Sequence, residues 1–203
     1  MGGATWVRDL GAARPGTWQG VRMTSALLVI DVQNEYVTGG LPIVDPPVEG
    51  SLARIGEAID AANAAGVPVV LVRHTEPDPA GGLFVADTPA WELHGTVSSR
   101  PHVAIIDKQL PGSFTGTGLE TLLADHGADH LVIAGYMTHM CVDTTTRQAM
   151  HLGLDVTVLE DATGTIDVSD SLPASLVHRV EIGVLGDGFA QVTSTSDWVA
   201  SLA

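Results

Sequence analysis

The chain has 203 residues, 45% of them apolar, which is the size of one domain with enough material to bury a substantial core. Its formal charge of −15, set against eight arginines and one lysine, excludes a nucleic-acid surface, which needs a basic stripe. No apolar stretch approaches the roughly 18 residues of a membrane span, and a single cysteine excludes an intrachain disulfide framework.

Residues 1–24 show no clean periodicity and carry three of the eight arginines, and we read them as an extension outside the core fold, which occupies residues 25–203. From residue 26 the chain alternates between strand and helix. ALLVID (26–31) is a short β-branched run, and an Ala-rich helix over about 49–65 ends at Gly66, where a left-handed cap is expected. VPVVLV (67–72) is the second strand. The segment 73–101 is rich in Pro and Gly and too long for a plain connection, which marks a lid or binding loop containing His74, Glu76, Phe84, Trp91 and His94. HVAIID (102–107) is the third strand, followed by a helix over about 115–127 and a fourth strand, HLVIAGY (130–136). A helix over about 139–152, the strand LDVTVLED (154–161), a helix near 172–184, the strand FAQVT (189–193) and a terminal helix from 195 complete the order. Such alternation predicts a mainly parallel six-stranded sheet covered on both faces, a three-layer α/β/α sandwich.

Ligands of such sheets bind beyond the carboxyl ends of the strands. Three residues meet there: Asp31 closes the first strand, the solitary Lys108 follows the third, and the solitary Cys141 follows the fourth. A cysteine at a helix start, near an ammonium, is expected to favour the nucleophilic thiolate. An adjacent aspartate can take the thiol proton and return it to a leaving amine. Each residue also has an ordinary reading: a buried small hydrophobe for the cysteine, a turn cap for the aspartate, a solvated surface charge for the lysine. Their joint placement favours chemistry. Dinucleotide and P-loop fingerprints are missing from the sequence, so no cofactor is expected.

These residues carry a resemblance. DVQNEY (31–36), IDKQLPGSFTGTGLETLL (106–123) and VIAGYMTHMCVDTTTRQAMHLGLDVTVLEDA (132–162) resemble the isochorismatase-like cysteine hydrolases, which include nicotinamidases and N-carbamoylsarcosine amidases. The resemblance spans roughly residues 25–200. It implies a Rossmann-like fold, a catalytic triad of Asp31, Lys108 and Cys141, and cleavage of a non-peptide C–N bond through a thioester. It also implies a cis peptide between Tyr136 and Met137, with the N–H groups of Met137 and Cys141 forming an oxyanion hole. Members acting on the vinyl ether of isochorismate lack the cysteine, so Cys141 points to an amidase. Nicotinamidase-like members carry a histidine-containing metal cluster after the first strand, whereas GGLPIVDPPVEG (39–50) contains no histidine and predicts no bound metal. A homodimer or homotetramer is implied, with a small-molecule amide as partner and neither nucleic acid nor membrane.

Substrate contacts are less constrained. Phe114, Trp91 and Tyr136 are candidates for an apolar wall, with packing as the alternative. Glu76, Asp78, Asp87 and Glu92 make the long loop acidic, which favours a cationic amide or lactam unless the loop is merely solvated. Arg73 or Arg100 would instead serve a substrate carboxylate. His74 either orients substrate or caps its strand. His126, His130, His151 and His178 read as solvated, and His139 as positional. A thiol-based redox protein and a catalytically silent binding module remain as other classes, though no second cysteine is available to resolve an oxidised thiol. Composition and the lack of an apolar leader place the protein in the cytoplasm as an expectation.

Overall fold

A computed structural model describes residues 24–203 with the exception of Pro79. The extension expected over residues 1–24 therefore lies, apart from Thr24, outside the described residues. The six strands are β1 (Ser25–Ile30), β2 (Val69–His74), β3 (Ala104–Lys108), β4 (His130–Tyr136), β5 (Asp155–Gly164) and β6 (Gln191–Thr193). They form one sheet in the order β3-β2-β1-β4-β5-β6, and every pairing is parallel.

Two apolar layers explain why the strand sequences read as continuous hydrophobic runs. Successive side chains of a strand point to opposite faces. Leu27 and Val29 thus enter one core while Ala26, Leu28 and Ile30 enter the other. The first layer is closed by α1 (Val48–Ala65), through Ile55, Ile59 and Ala62, by the single turn α2 (Gly95–Ser98) and by Trp198 from the short terminal helix α6 (Thr195–Ser201). The second is closed by α3 (Leu119–Asp125), α4 (Asp143–His151) and α5 (Ala174–Gly188), which contribute Leu119, Leu123, Ala149, Ile182 and Leu185. The three-layer α/β/α architecture is as the alternation predicted.

The end of α1 falls at Gly66 as expected, while other boundaries moved for identifiable reasons. α1 ends where Gly66 adopts φ +72° and its N–H bonds the carbonyls of Ala62 and Asn63. The helix expected from 115 starts only at Leu119. Residues 113–117 are instead drawn onto α4: the Ser113 N–H donates to Thr145 Oγ1, and Gln148 Nε2 donates to Thr115 Oγ1. The helix expected over 139–152 divides into a wide turn, Thr138–Val142, whose Val142 N–H reaches back five residues to the Met137 carbonyl, and α4 proper. Segment 75–94 is largely irregular but firmly attached. Asn34 and Glu35 donate to the carbonyls of Glu92 and Ala90, and the His94 N–H donates to the Val32 carbonyl.

Candidate active site

Reversal of strand order between β1 and β4 creates a crevice at their carboxyl ends. Asp31 leaves β1 with φ +52°, a left-handed conformation that non-glycine residues seldom adopt and that Asp tolerates better than most. That turn aims its carboxylate across the sheet edge. Lys108, the last residue of β3, spans β2 to meet it: Nζ lies 2.7 Å from Asp31 Oδ2, with both side chains fully buried. The same Nζ donates to Cys141 Sγ at 3.3 Å. The three residues singled out by composition and strand position thus form one contiguous cluster. Neither Asp31 oxygen receives a well-directed hydrogen bond from a described residue, so the pair is held by charge and proximity.

Close approach of β4 to β1 depends on Gly135, whose φ is +114° and whose hypothetical Cβ would sit 2.0 Å from the Ile30 carbonyl oxygen. Only a residue without a side chain fits there. The next bond but one, Tyr136–Met137, is cis, and the chain then enters the wide turn that carries Cys141. This turn is gripped from two sides. Thr138 Oγ1 pairs with His178 Nδ1 from α5 at 2.9 Å, and His139 Nδ1 pairs with Thr165 Oγ1 at 2.5 Å. His178 is therefore not solvated as its helical position suggested. Nor is His130, which bridges Ser25 Oγ and Thr157 Oγ1 at 2.9 and 2.8 Å.

The electrostatics correct the expectation of a resting thiolate. Burial pushes the Cys141 thiol well above its ordinary value, the Asp31 carboxylate adds to this, and the Lys108 ammonium only partly opposes them. Burial and the neighbouring Asp31 thus favour the protonated thiol over a stored thiolate. Burial pulls Lys108 down, but the attraction of Asp31 and Cys141 outweighs it and the ammonium is held above its usual range. His74, the last residue of β2, is shifted down by burial and then by Lys108, whose Nζ is 3.3 Å from its Nδ1.

A cavity of about 610 Å³ opens over Lys108 and is lined by Thr75, Trp91, Asp107, Gln109, Leu110 and Thr115 among others. Of the expected wall residues, Trp91 lines it, with its indole N–H donating to Thr75 Oγ1. Tyr136 departs from expectation: its side chain has no exposed surface, because the hydroxyl is drawn inward to Ser51 Oγ at 2.8 Å. Phe114 packs on the second apolar layer instead. Glu76 turns its carboxylate into its own loop, accepting from the Asp78 N–H at 3.0 Å. Arg73 makes two bonds to Asp107 and lies 3.7 Å above the Trp91 ring, and Arg100 pairs with Asp60 on α1. Both arginines proposed for a substrate carboxylate are thus already engaged.

Gln33 is the organiser that the sequence left unassigned. Fully buried, it donates to the carbonyls of His74 and Trp91 at 3.0 and 2.7 Å and accepts from the His74 N–H at 2.9 Å. One amide thereby fixes both the end of β2 and the long loop. The available signal was an uncharged polar residue two places after the carboxylate, where the chain leaves the sheet. Among the described residues no group of three or more His, Cys, Asp or Glu is arranged to hold a metal ion, and no helix is long and apolar enough to cross a membrane.

Together the fold and site define a three-layer α/β protein with an acid, an ammonium and a thiol at the switch point of a parallel sheet. Residues 25–197 match the isochorismatase domain family, and the chain belongs to that family. The secreted isochorismatase effector Isc1 of Verticillium dahliae is 36% identical over 85% of this chain and 89% of its own. Streptothricin hydrolase of Streptomyces noursei is 36% identical over 80% of this chain but only 59% of its own, and the ureidoacrylate amidohydrolase RutB of Variovorax paradoxus is 26% identical over 88% and 81%. Among solved structures, a protein assigned as an isochorismatase from Burkholderia xenovorans superposes with a TM-score of 0.86 at 46% identity, covering 90% of this chain and 88% of that one. The family is one of hydrolases that includes amidohydrolases. One relative is secreted by name, so membership does not set the compartment.

Proposed function

We propose that this chain is a cysteine-dependent amidohydrolase that cleaves a non-peptide C–N bond of a small molecule. The observation that carries the reading is the buried cluster in which one ammonium touches both a carboxylate and the lone thiol and itself lines a cavity. Asp31 takes the Cys141 proton as sulfur attacks the substrate carbonyl, so the nucleophile forms at the moment it is used. Lys108 keeps the carboxylate in place and offsets the negative charge that passes between oxygen and sulfur. The N–H groups of Met137 and Cys141 receive the tetrahedral oxyanion, each such donor being worth about 3–4 kcal/mol. Asp31 then returns the proton to the departing ammonia or amine, and water hydrolyses the remaining thioester. Streptothricin hydrolase and ureidoacrylate amidohydrolase, which are similar to this chain, support hydrolysis of this type.

The engaged state of Arg73 and Arg100 favours a neutral or cationic amide over a carboxylate-bearing ureido acid. Ammonia or amine release should be measured over primary amides, ureido acids and lactams, together with intact mass of the protein during turnover. Cys141→Ala should abolish release while keeping the native circular dichroism, and the wild-type protein should carry an acyl adduct on Cys141. Release that persists in Cys141→Ala would refute the mechanism.

A further inference from the structure

The Lys108 ammonium has three N–H bonds and three neighbours. Two are Asp31 and Cys141, and the third is His74 Nδ1 at 3.3 Å. An ammonium can only donate, so Nδ1 must present its lone pair, and the neutral ring then carries its proton on Nε2. The ring is set in that orientation from both ends. Gln33 bonds the His74 N–H and carbonyl, and Phe84 meets the imidazole edge-on, with centroids 5.3 Å apart and planes at 88°. Phe84 is held in turn: its N–H donates to Glu35 Oε2 at 3.5 Å, and its ring packs 5.0 Å from that of Tyr36. Nothing in this arrangement requires a substrate contact from His74.

We propose that His74 is a positioning residue of the site, a neutral acceptor that takes one N–H of Lys108 and so holds the ammonium in place against Asp31 and Cys141. The proposal rests on the amidohydrolase reading for its purpose but not for its test. The charged and titratable groups that face the ring are Lys108, Asp31 and Glu76, with the Cys141 thiol on the far side of the ammonium. Burial and Lys108 both disfavour the imidazolium, which keeps Nδ1 available as an acceptor near neutrality. A protonated ring would set a second cation against Lys108 and remove its acceptor at the same time.

Alkylation of Cys141 by iodoacetamide reads the thiol without any substrate. In His74→Leu, one buried ammonium N–H loses its acceptor, and the alkylation rate at pH 7.5 should fall about tenfold, the scale of a hydrogen bond to a charged group. His74→Asn places a non-titrating oxygen where Nδ1 lies and should restore the rate to within about threefold. The fall in alkylation expected of the wild type on the acid side should move to lower pH in His74→Asn, because the imidazole that titrates has gone. Wild-type alkylation in His74→Leu, equal slowing in both variants, or an unmoved acid side in His74→Asn would each overturn the proposal. Should His74→Leu fail to fold, the acid side of His74→Asn decides. If the wild type releases no amine from any amide while these rates behave as stated, the amidohydrolase reading fails and the role of His74 stands.

Discussion

Replacing Lys108 by Met leaves the Asp31 carboxylate as an unpaired charge with no exposed surface, 2.7 Å from where its partner stood. Breaking a buried pair by removing one partner costs about 3–5 kcal/mol, since the remaining ion is neither solvated nor compensated. With a urea slope of about 2 kcal/mol/M, the unfolding midpoint at pH 8 should fall by about 1.5–2.5 M. Asp31→Asn combined with Lys108→Met should recover most of the loss, because the pair is then replaced and not broken. Equilibrium urea unfolding followed by circular dichroism at pH 8 measures both. A loss under about 1 kcal/mol at pH 8, or no recovery in the double variant, would show that the ion pair is not the buried, mutually dependent unit inferred from its geometry.

Three further outcomes follow from single contacts. Gly135→Ala should destabilise by more than about 4 kcal/mol or prevent soluble expression, because its Cβ would lie 2.0 Å from the Ile30 carbonyl oxygen at φ +114°. Thermal unfolding beside Gly66→Ala, where nothing lies within 4 Å, separates the clash from the backbone effect alone. Ser51→Ala strips the buried Tyr136 hydroxyl of its partner and should cost about 1–3 kcal/mol by urea unfolding, with no change in substrate preference since the ring does not reach the cavity. Lys108 is raised above its ordinary 10.5, so the stability it contributes is complete below that value and is lost as pH rises through the higher folded value. The stability gap between wild type and Lys108→Met should therefore hold from pH 8 to about pH 9.5 and narrow above about pH 10.5, as judged by urea midpoints.

Strand positions were legible because burial on both faces of a parallel sheet leaves a β-branched run that solvent-facing polar residues do not interrupt. Asp31, Lys108 and Cys141 could be grouped for a different reason: each lies at a strand's carboxyl end, and parallel strands share one such edge. Properties that depend on depth were hidden. The placement of Cys141 at a helix start argued for a thiolate, but burial and Asp31 outweigh the ammonium, and depth is not written in the local sequence. The inward turn of Tyr136 depends on Ser51, a residue 85 positions away. Residues 113–117 have helical neighbours and yet serve as ligands of α4 side chains, which no window of local propensity contains.

Because burial and Asp31 favour the protonated thiol, the lone lysine serves a different purpose from a simple counter-ion. If the site stored a thiolate, Lys108 would act mainly as its counter-ion, and Asp31 would add repulsion. With the proton on sulfur, a single negative charge is shared by the cluster, and it resides on Asp31 before attack. Proton transfer moves that charge by the short distance from oxygen to sulfur, and the ammonium lies against both at 2.7 and 3.3 Å. The charge thus stays paired throughout the proposed transfer, which limits the cost of moving it inside a low-dielectric site. A guanidinium, with its donors spread over a rigid plane, would favour a two-oxygen grip on the carboxylate over a pyramidal approach to carboxylate, thiol and imidazole together. Three unlike partners around one point is a task that an ammonium meets better than a guanidinium.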